Sequence, residues 1–168
     1  MTASSAGHPP FEELAEGYRL PVLTRGPIST VHLFRWSAAI ENWHRIHYDA
    51  PFATGHDGLP ALLVNGSWKQ HLIVAQLRNW LEPDGWLYQV GFRFRGMDTV
   101  GSVLTAWARV TGTEIVDGLG HVHLELGVGN ADGVDNTTGT ATGVLPLTGG
   151  SAVPYPFPQR SSQQRVER

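Results

Sequence analysis

Cysteine is absent from the 168 residues. Disulfides, thiolate nucleophiles and zinc sites built on cysteine are therefore excluded. Charge is scarce as well: Asp, Glu, Lys and Arg make up 16% of the chain, and the formal net charge is −3. That balance gives no electrostatic footprint for nucleic acid and no basic face for an anionic membrane. No apolar run approaches the ~20 residues that a membrane-spanning helix needs. Residues 1–10 are small and polar, without the basic and apolar stretches of a secretory signal. These absences are consistent with a cytoplasmic location. What is present is an ordinary globular composition, 41% apolar, long enough for one domain with a core of its own.

Residues 1–10 read as a disordered N-terminus, 11–148 as the single domain, and 149–168 as a flexible tail. In the tail Pro154, Pro156 and Pro158 alternate with Tyr155 and Phe157, an arrangement that could instead pack on a neighbouring subunit. Residues 30–36, rich in β-branched and aromatic side chains, read as a strand. Ser37 then reads as the N-cap of a helix through Ile46, supported by Glu41 in its first turns. Residues 48–60 carry Pro51, Gly55, Gly58 and Pro60 and read as a loop. The spacing of Leu62, Gly66, Ile73, Leu77 and Leu81 predicts a long helix over 61–81, ended by Pro83, Asp84 and Gly85. Lys69 is the exceptional charge in that helix before Arg78. Beyond it the period changes to two. Runs centred on Trp86–Phe94, Leu104–Val110, Val122–Val128 and residues 138–147 are separated by Gly, Asp or Asn, as in an antiparallel meander. One apolar helix beside one antiparallel sheet is an α+β layer arrangement, in which the sheet curls around the helix.

The densest group of chemistry-bearing side chains is Asn42-Trp43-His44-Arg45-Ile46-His47-Tyr48-Asp49. A histidine near its ordinary pKa takes or gives a proton at neutral pH. Gly66-Ser67 follows in the next apolar segment, and a glycine that opens a helix offers its N–H to an oxygen gaining negative charge. Together they point to proton chemistry next to a carbonyl. Other readings stand beside this one. His47 could tie a loop to the helix. His44 with His47, or His121 with His123, could bind a metal, although no Cys or clear third ligand accompanies them. Gly66-Ser67 could be a close-packing site. Ser67 lacks the G-x-S-x-G context of a serine hydrolase, because Lys69 stands where the last glycine belongs. Trp68, Trp80, Trp86 and Trp107 could narrow a pocket or fill the core.

The order of elements resembles the hotdog fold, and within it the MaoC-like acyl-CoA hydratase and dehydratase family. That family's signature, Asp-x-Asn-Pro-x-His, precedes the central helix. Asn42 and His47 hold its Asp and His positions, and His44 falls where the motif has Asn. The run from His44 to Asp49, with Phe52-Ala53 after it, is similar to the subfamily with mesaconyl-CoA and itaconyl-CoA hydratases. Gly17-Tyr18, residues 62–66, Phe92-Arg93-Phe94-Arg95 and Gly101-Ser102 extend the likeness over roughly residues 11–146. The resemblance implies hydration of an α,β-unsaturated acyl thioester, or dehydration of a 3-hydroxyacyl thioester. CoA or a carrier-bound pantetheine is then the substrate's handle, with no redox cofactor and no metal. His47 is implied as general base and acid, Asn42 as the second catalytic residue, holding the water against His47, the Gly66 N–H as the thioester carbonyl's partner, and Ser67 and Arg45 as further substrate-binding residues. Arg45 orients the loop or meets a CoA phosphate; Arg93 and Arg95 lie on a solvated or interface face, or meet that phosphate. Asn42 departs from the signature, since an amide cannot take a proton as an Asp carboxylate can. A homodimer or larger assembly is expected, with a second, different hotdog subunit as a possible partner. Two alternatives remain: a non-catalytic or half-site subunit of a heteromeric dehydratase, and a hotdog thioesterase.

Overall fold

Ser29 decides the first long element. Its Oγ accepts the N–H of His32 at 3.4 Å, and His32 Nδ1 accepts the N–H of Ser29 at 3.0 Å, a reciprocal capping box. In the computed structural model, which describes residues 7–157, this cap opens helix α1 over Thr30–Ala39. The strand expected over 30–36 is thus a helix. Leu33 and Ser37, four residues apart, face inward, while Val31 and Phe34 are exposed. Ser37 lies inside α1 and not at the start of a later helix. The helix expected through Ile46 is absent: residues 42–44 are non-helical, and Arg45–His47 form one 3-10 turn.

Helix α2, Gly66–Leu81, is shorter at its N-terminal end than the expected 61–81. Leu63 instead bridges Thr99, and the neighbouring backbone bonds run Val64 N–H to Asp98 O and Val100 N–H to Leu62 O, both 2.8 Å. The inward face of α2 is Lys69, Leu72, Ile73, Gln76, Leu77, Trp80 and Leu81, a helical period throughout. Five antiparallel strands wrap this face: β1 (Leu23–Arg25), β2 (Trp86–Phe94), β3 (Leu104–Val116), β4 (Leu119–Gly129) and β5 (Asp135–Leu145), in the order β1-β3-β4-β5-β2. β1 is too short to show a period and was not expected. Leu104, Ala106, Ala108 and Val110 of β3, and Val122, Leu124, Leu126 and Val128 of β4, turn inward as their alternation predicts. In β2 the register shifts between Leu87 and Gln89. This bulge puts Leu87, Val90 and Phe92 against the core and leaves Trp86 and Tyr88 exposed; Phe94, on the side of Val90 and Phe92, is half exposed at the end of the strand.

The described parts of both ends are packed. Gly7 N–H donates to Glu82 O at 3.3 Å, and the His8 ring meets Trp80 edge-on. Tyr155 and Phe157 lie against Trp86 and Tyr88 of the chain's own β2. Residues 1–6 and 158–168, on which the rest of the end-segment readings fall, lie outside the described residues. Among the described residues no helix is long and apolar enough to cross a membrane.

Candidate active site

His47 is buried at the end of its 3-10 turn, 7% exposed. Its Nδ1 lies 2.8 Å from Leu63 O. A carbonyl only accepts, so the neutral ring carries its hydrogen on Nδ1 and leaves the Nε2 lone pair for chemistry. Leu63 N–H in turn donates to Ile46 O at 3.0 Å, so the turn and the segment before α2 are tied by two bonds. Burial pushes the His47 pKa down; the bond to Leu63 O opposes this, and the nearby His44 ring, 6.1 Å away, adds to the depression. The histidine is held neutral, as a base must be.

Gly66 is the first residue of α2. Asn65, at the N-cap, makes no side-chain cap bond, and its carbonyl takes the N–H groups of Trp68 and Lys69. The N–H groups of Gly66 and Ser67 have no acceptor among the described residues. Both point along the helix axis at its positive end. A Cβ at Gly66 would lie 2.8 Å from Phe94 Cε2, so the glycine lets the aromatic ring cover the helix mouth closely. The backbone from Leu63 to Gly66 spans at most roughly 11 Å. The carbonyl that anchors His47 and the unpaired N–H of Gly66 therefore belong to one short segment.

The remaining expected residues hold this arrangement. Asn42 Oδ1 accepts the N–H of His44 at 3.1 Å, which shapes the loop into His47 and commits one of its lone pairs. Arg45 pairs with Asp49 at 2.7 Å and lies over the Phe52 ring at 4.2 Å. Asp49 Oδ1 also accepts the Phe52 N–H. The Arg45 hydrogen bonds, then that of Phe52, hold the Asp49 carboxyl below its usual range, so it is a loop brace and no base. Ser67 Oγ accepts the Trp36 indole N–H at 2.9 Å, and Asn65 Nδ2 meets Ser37 Oγ at 3.3 Å. These bonds seat α1 on the mouth of α2. The sequence alone did not single out Leu63, Asn65, Phe94 or Trp36 for the site. Leu63 acts through its backbone and Phe94 through a glycine's missing side chain, and neither leaves a pattern in the residue types.

Of Trp68, Trp80, Trp86 and Trp107, Trp80 is core and Trp107 lies on the outer sheet face, donating to Asp135 at 2.8 Å. A cavity of about 650 Å³ lined by Arg78, Glu82, Trp86 and Tyr155 opens at the far end of α2. It stands one helix length, roughly 22 Å, from Gly66 and is separate from this site.

One long helix wrapped by a curved antiparallel sheet defines the class: a single hotdog domain. An R-hydratase from Pseudomonas aeruginosa superposes with a TM-score of 0.72 at 21% identity, over 91% of this chain and 95% of that one. A Mycobacterium tuberculosis protein described as a double hotdog fold superposes with a TM-score of 0.68 at 18% identity, over 91% of this chain and 49% of that one. Residues 16–101, just over half of the chain, match the family described as hydroxyacyl-thioester dehydratase type 2. The chain belongs to that family. The mesaconyl-C(4)-CoA hydratase of Chloroflexus aurantiacus is 41% identical over 63 residues, which are 38% of this chain. The match spans about a fifth (21%) of that relative's length.

Proposed function

We propose that this protein is a hydro-lyase that adds water to an α,β-unsaturated acyl thioester, or removes it from a 3-hydroxyacyl thioester. The observation behind this reading is the His47 Nδ1 bond to Leu63 O, three residues before the unpaired N–H of Gly66. In the hydration direction His47 Nε2 takes a proton from water as the hydroxide adds to Cβ. The C=C electron pair moves onto the thioester oxygen, which the Gly66 N–H receives. The same proton then passes from the imidazolium to Cα. Nothing in this sequence asks Asn42 to ionise; its free lone pair and amide hydrogens are left to orient water. Arg45, neutralised by Asp49, serves the loop. CoA or a carrier pantetheine is the handle, and no redox cofactor or metal takes part. A cytoplasmic setting, supported by the lack of cysteine, and an assembly of two or more hotdog units belong to the same reading.

Purified protein given crotonyl-CoA or a longer enoyl-CoA is expected to remove the enone absorbance without releasing thiol. His47→Ala should lower kcat by roughly 10²–10⁴-fold. Release of free CoA would instead make the protein a thioesterase, and an undiminished rate in His47→Ala would sink the mechanism. The commitment of Asn42 Oδ1 to the His44 N–H favours one second reading, a half-site subunit. That subunit stays inert alone and gains activity when mixed with its partner chain.

A further inference from the structure

The mechanism makes no use of Lys69 and Asp98, yet both are buried, 3% and 4% exposed. Lys69 stands on the inward face of α2, about one turn after Gly66. Its Nζ donates to Asp98 Oδ2 at 2.9 Å and to Gly96 O at 3.0 Å, and lies 5.4 Å from the Phe94 ring centre. Asp98 Oδ1 accepts Asn136 Nδ2, on β5, at 2.7 Å. Such a pair adds little stability over an apolar pair of the same size, because desolvation offsets the attraction. Its consequence is geometric. The Asp98 carbonyl takes the Val64 N–H, Thr99 bridges Leu63, and the Val100 N–H donates to Leu62 O. Leu63 O is the anchor of His47.

Resting on the function read above, we propose that Lys69 and Asp98 are positioning residues for the active site. Their ion pair pins residues 96–100 to the first turns of α2. That segment pins backbone 62–64, which both holds His47 and leads into Gly66. One clamp thus sets the base and the oxyanion donor relative to each other, while Phe94, beside both Lys69 and Gly66, covers the helix mouth. The sequence carries a trace of this: Lys69 is the lone charge in an otherwise uncharged first half of the helix.

The test needs a readout that mere scaffolding would not move, namely the ring state of His47. The double variant Lys69→Met/Asp98→Asn removes both charges, so neither is left stranded. Long-range nitrogen–proton NMR of the unliganded ¹⁵N-labelled protein reads which ring nitrogen carries the hydrogen. Wild type is expected to show hydrogen on Nδ1 of His47. The double variant should lose that preference, with kcat on crotonyl-CoA down by up to ~100-fold and a smaller change in KM. Asn136→Ala, which loosens only the Asp98 end, should shift the ring state and kcat the same way by less, and it decides the matter if the double variant fails to fold. His44 is the titratable group facing His47, so its own titration is followed alongside. Wild-type ring state and kcat in the folded variants would overturn the proposal. Should wild type turn over no enoyl thioester, the functional reading fails, while the ring state still judges the clamp.

Discussion

Two surroundings act on His47 in opposite senses, and their balance suits it to the base's role proposed for it. Burial and the neighbouring His44 favour the neutral ring, while the Leu63 carbonyl favours a hydrogen on Nδ1. The net shift is downward from the ordinary 6.5. The acid limb of kcat/KM against pH is therefore expected to lie below 6.5, read from initial rates on an enoyl-CoA. Stability follows the same sign. Between the folded and unfolded pKa values the unfolded state binds more protons, so His47's contribution is complete above 6.5 and is lost as pH falls through the lowered folded value. In His47→Gln, urea midpoints should lose that part of their pH dependence. A limb above 6.5 that disappears with His44→Gln would assign the base to the wrong histidine. His47 and Gly66 were legible as residue types because each brings chemistry that few side chains or backbones offer. The way Asn42 is used was not, since an amide turned onto the next loop N–H looks in sequence like an amide turned onto water.

At the scale of elements, patterns that repeat were readable and single switches were not. α2, β3 and β4 each repeat an inward face several times, so the helix and the meander show in the period alone. α1 is too short for this: its strand-like residues between 30 and 36 outweigh two inward positions. The deciding signal is local, the Ser29–His32 capping box. The bulge in β2 is equally local, and it turns Trp86 and Tyr88 away from the core that strict alternation assigns them. The cap carries a measurable consequence. Ser29→Ala should cost ~0.5–2 kcal/mol in urea unfolding. Because α1 also seats Trp36 on Ser67 at 2.9 Å, the cost should be accompanied by faster hydrogen exchange at the start of α2. A loss of stability with unchanged exchange there would mean that α1 and the helix mouth are not coupled.

For the whole molecule, assembly turns on an edge of the sheet. The sheet ends in β1, three residues long, and in β2, nine residues long. A long edge strand presents a row of backbone donors and acceptors that pairs readily with another chain. The aromatics of residues 155–157 lie against side chains of β2, yet among the described residues no backbone bond from that tail closes the edge. β2 ends in Phe94, the ring that covers Gly66, so whatever pairs along β2 arrives beside the candidate active site. Joining two such edges would give one continuous sheet and flank the mouth of α2 with protein on a side that is open in the single chain. Sedimentation is accordingly expected to give about twice the 18.3 kDa chain mass. The β2 amides that face away from β5 should exchange slowly in the assembly, since each would then donate across the joint. A monomer at micromolar concentration, with those amides exchanging freely, would remove the self-paired edge. It would leave β2 as the place where a different hotdog chain must dock, and Asn42 would then mark the half of the site that lacks a carboxylate of its own.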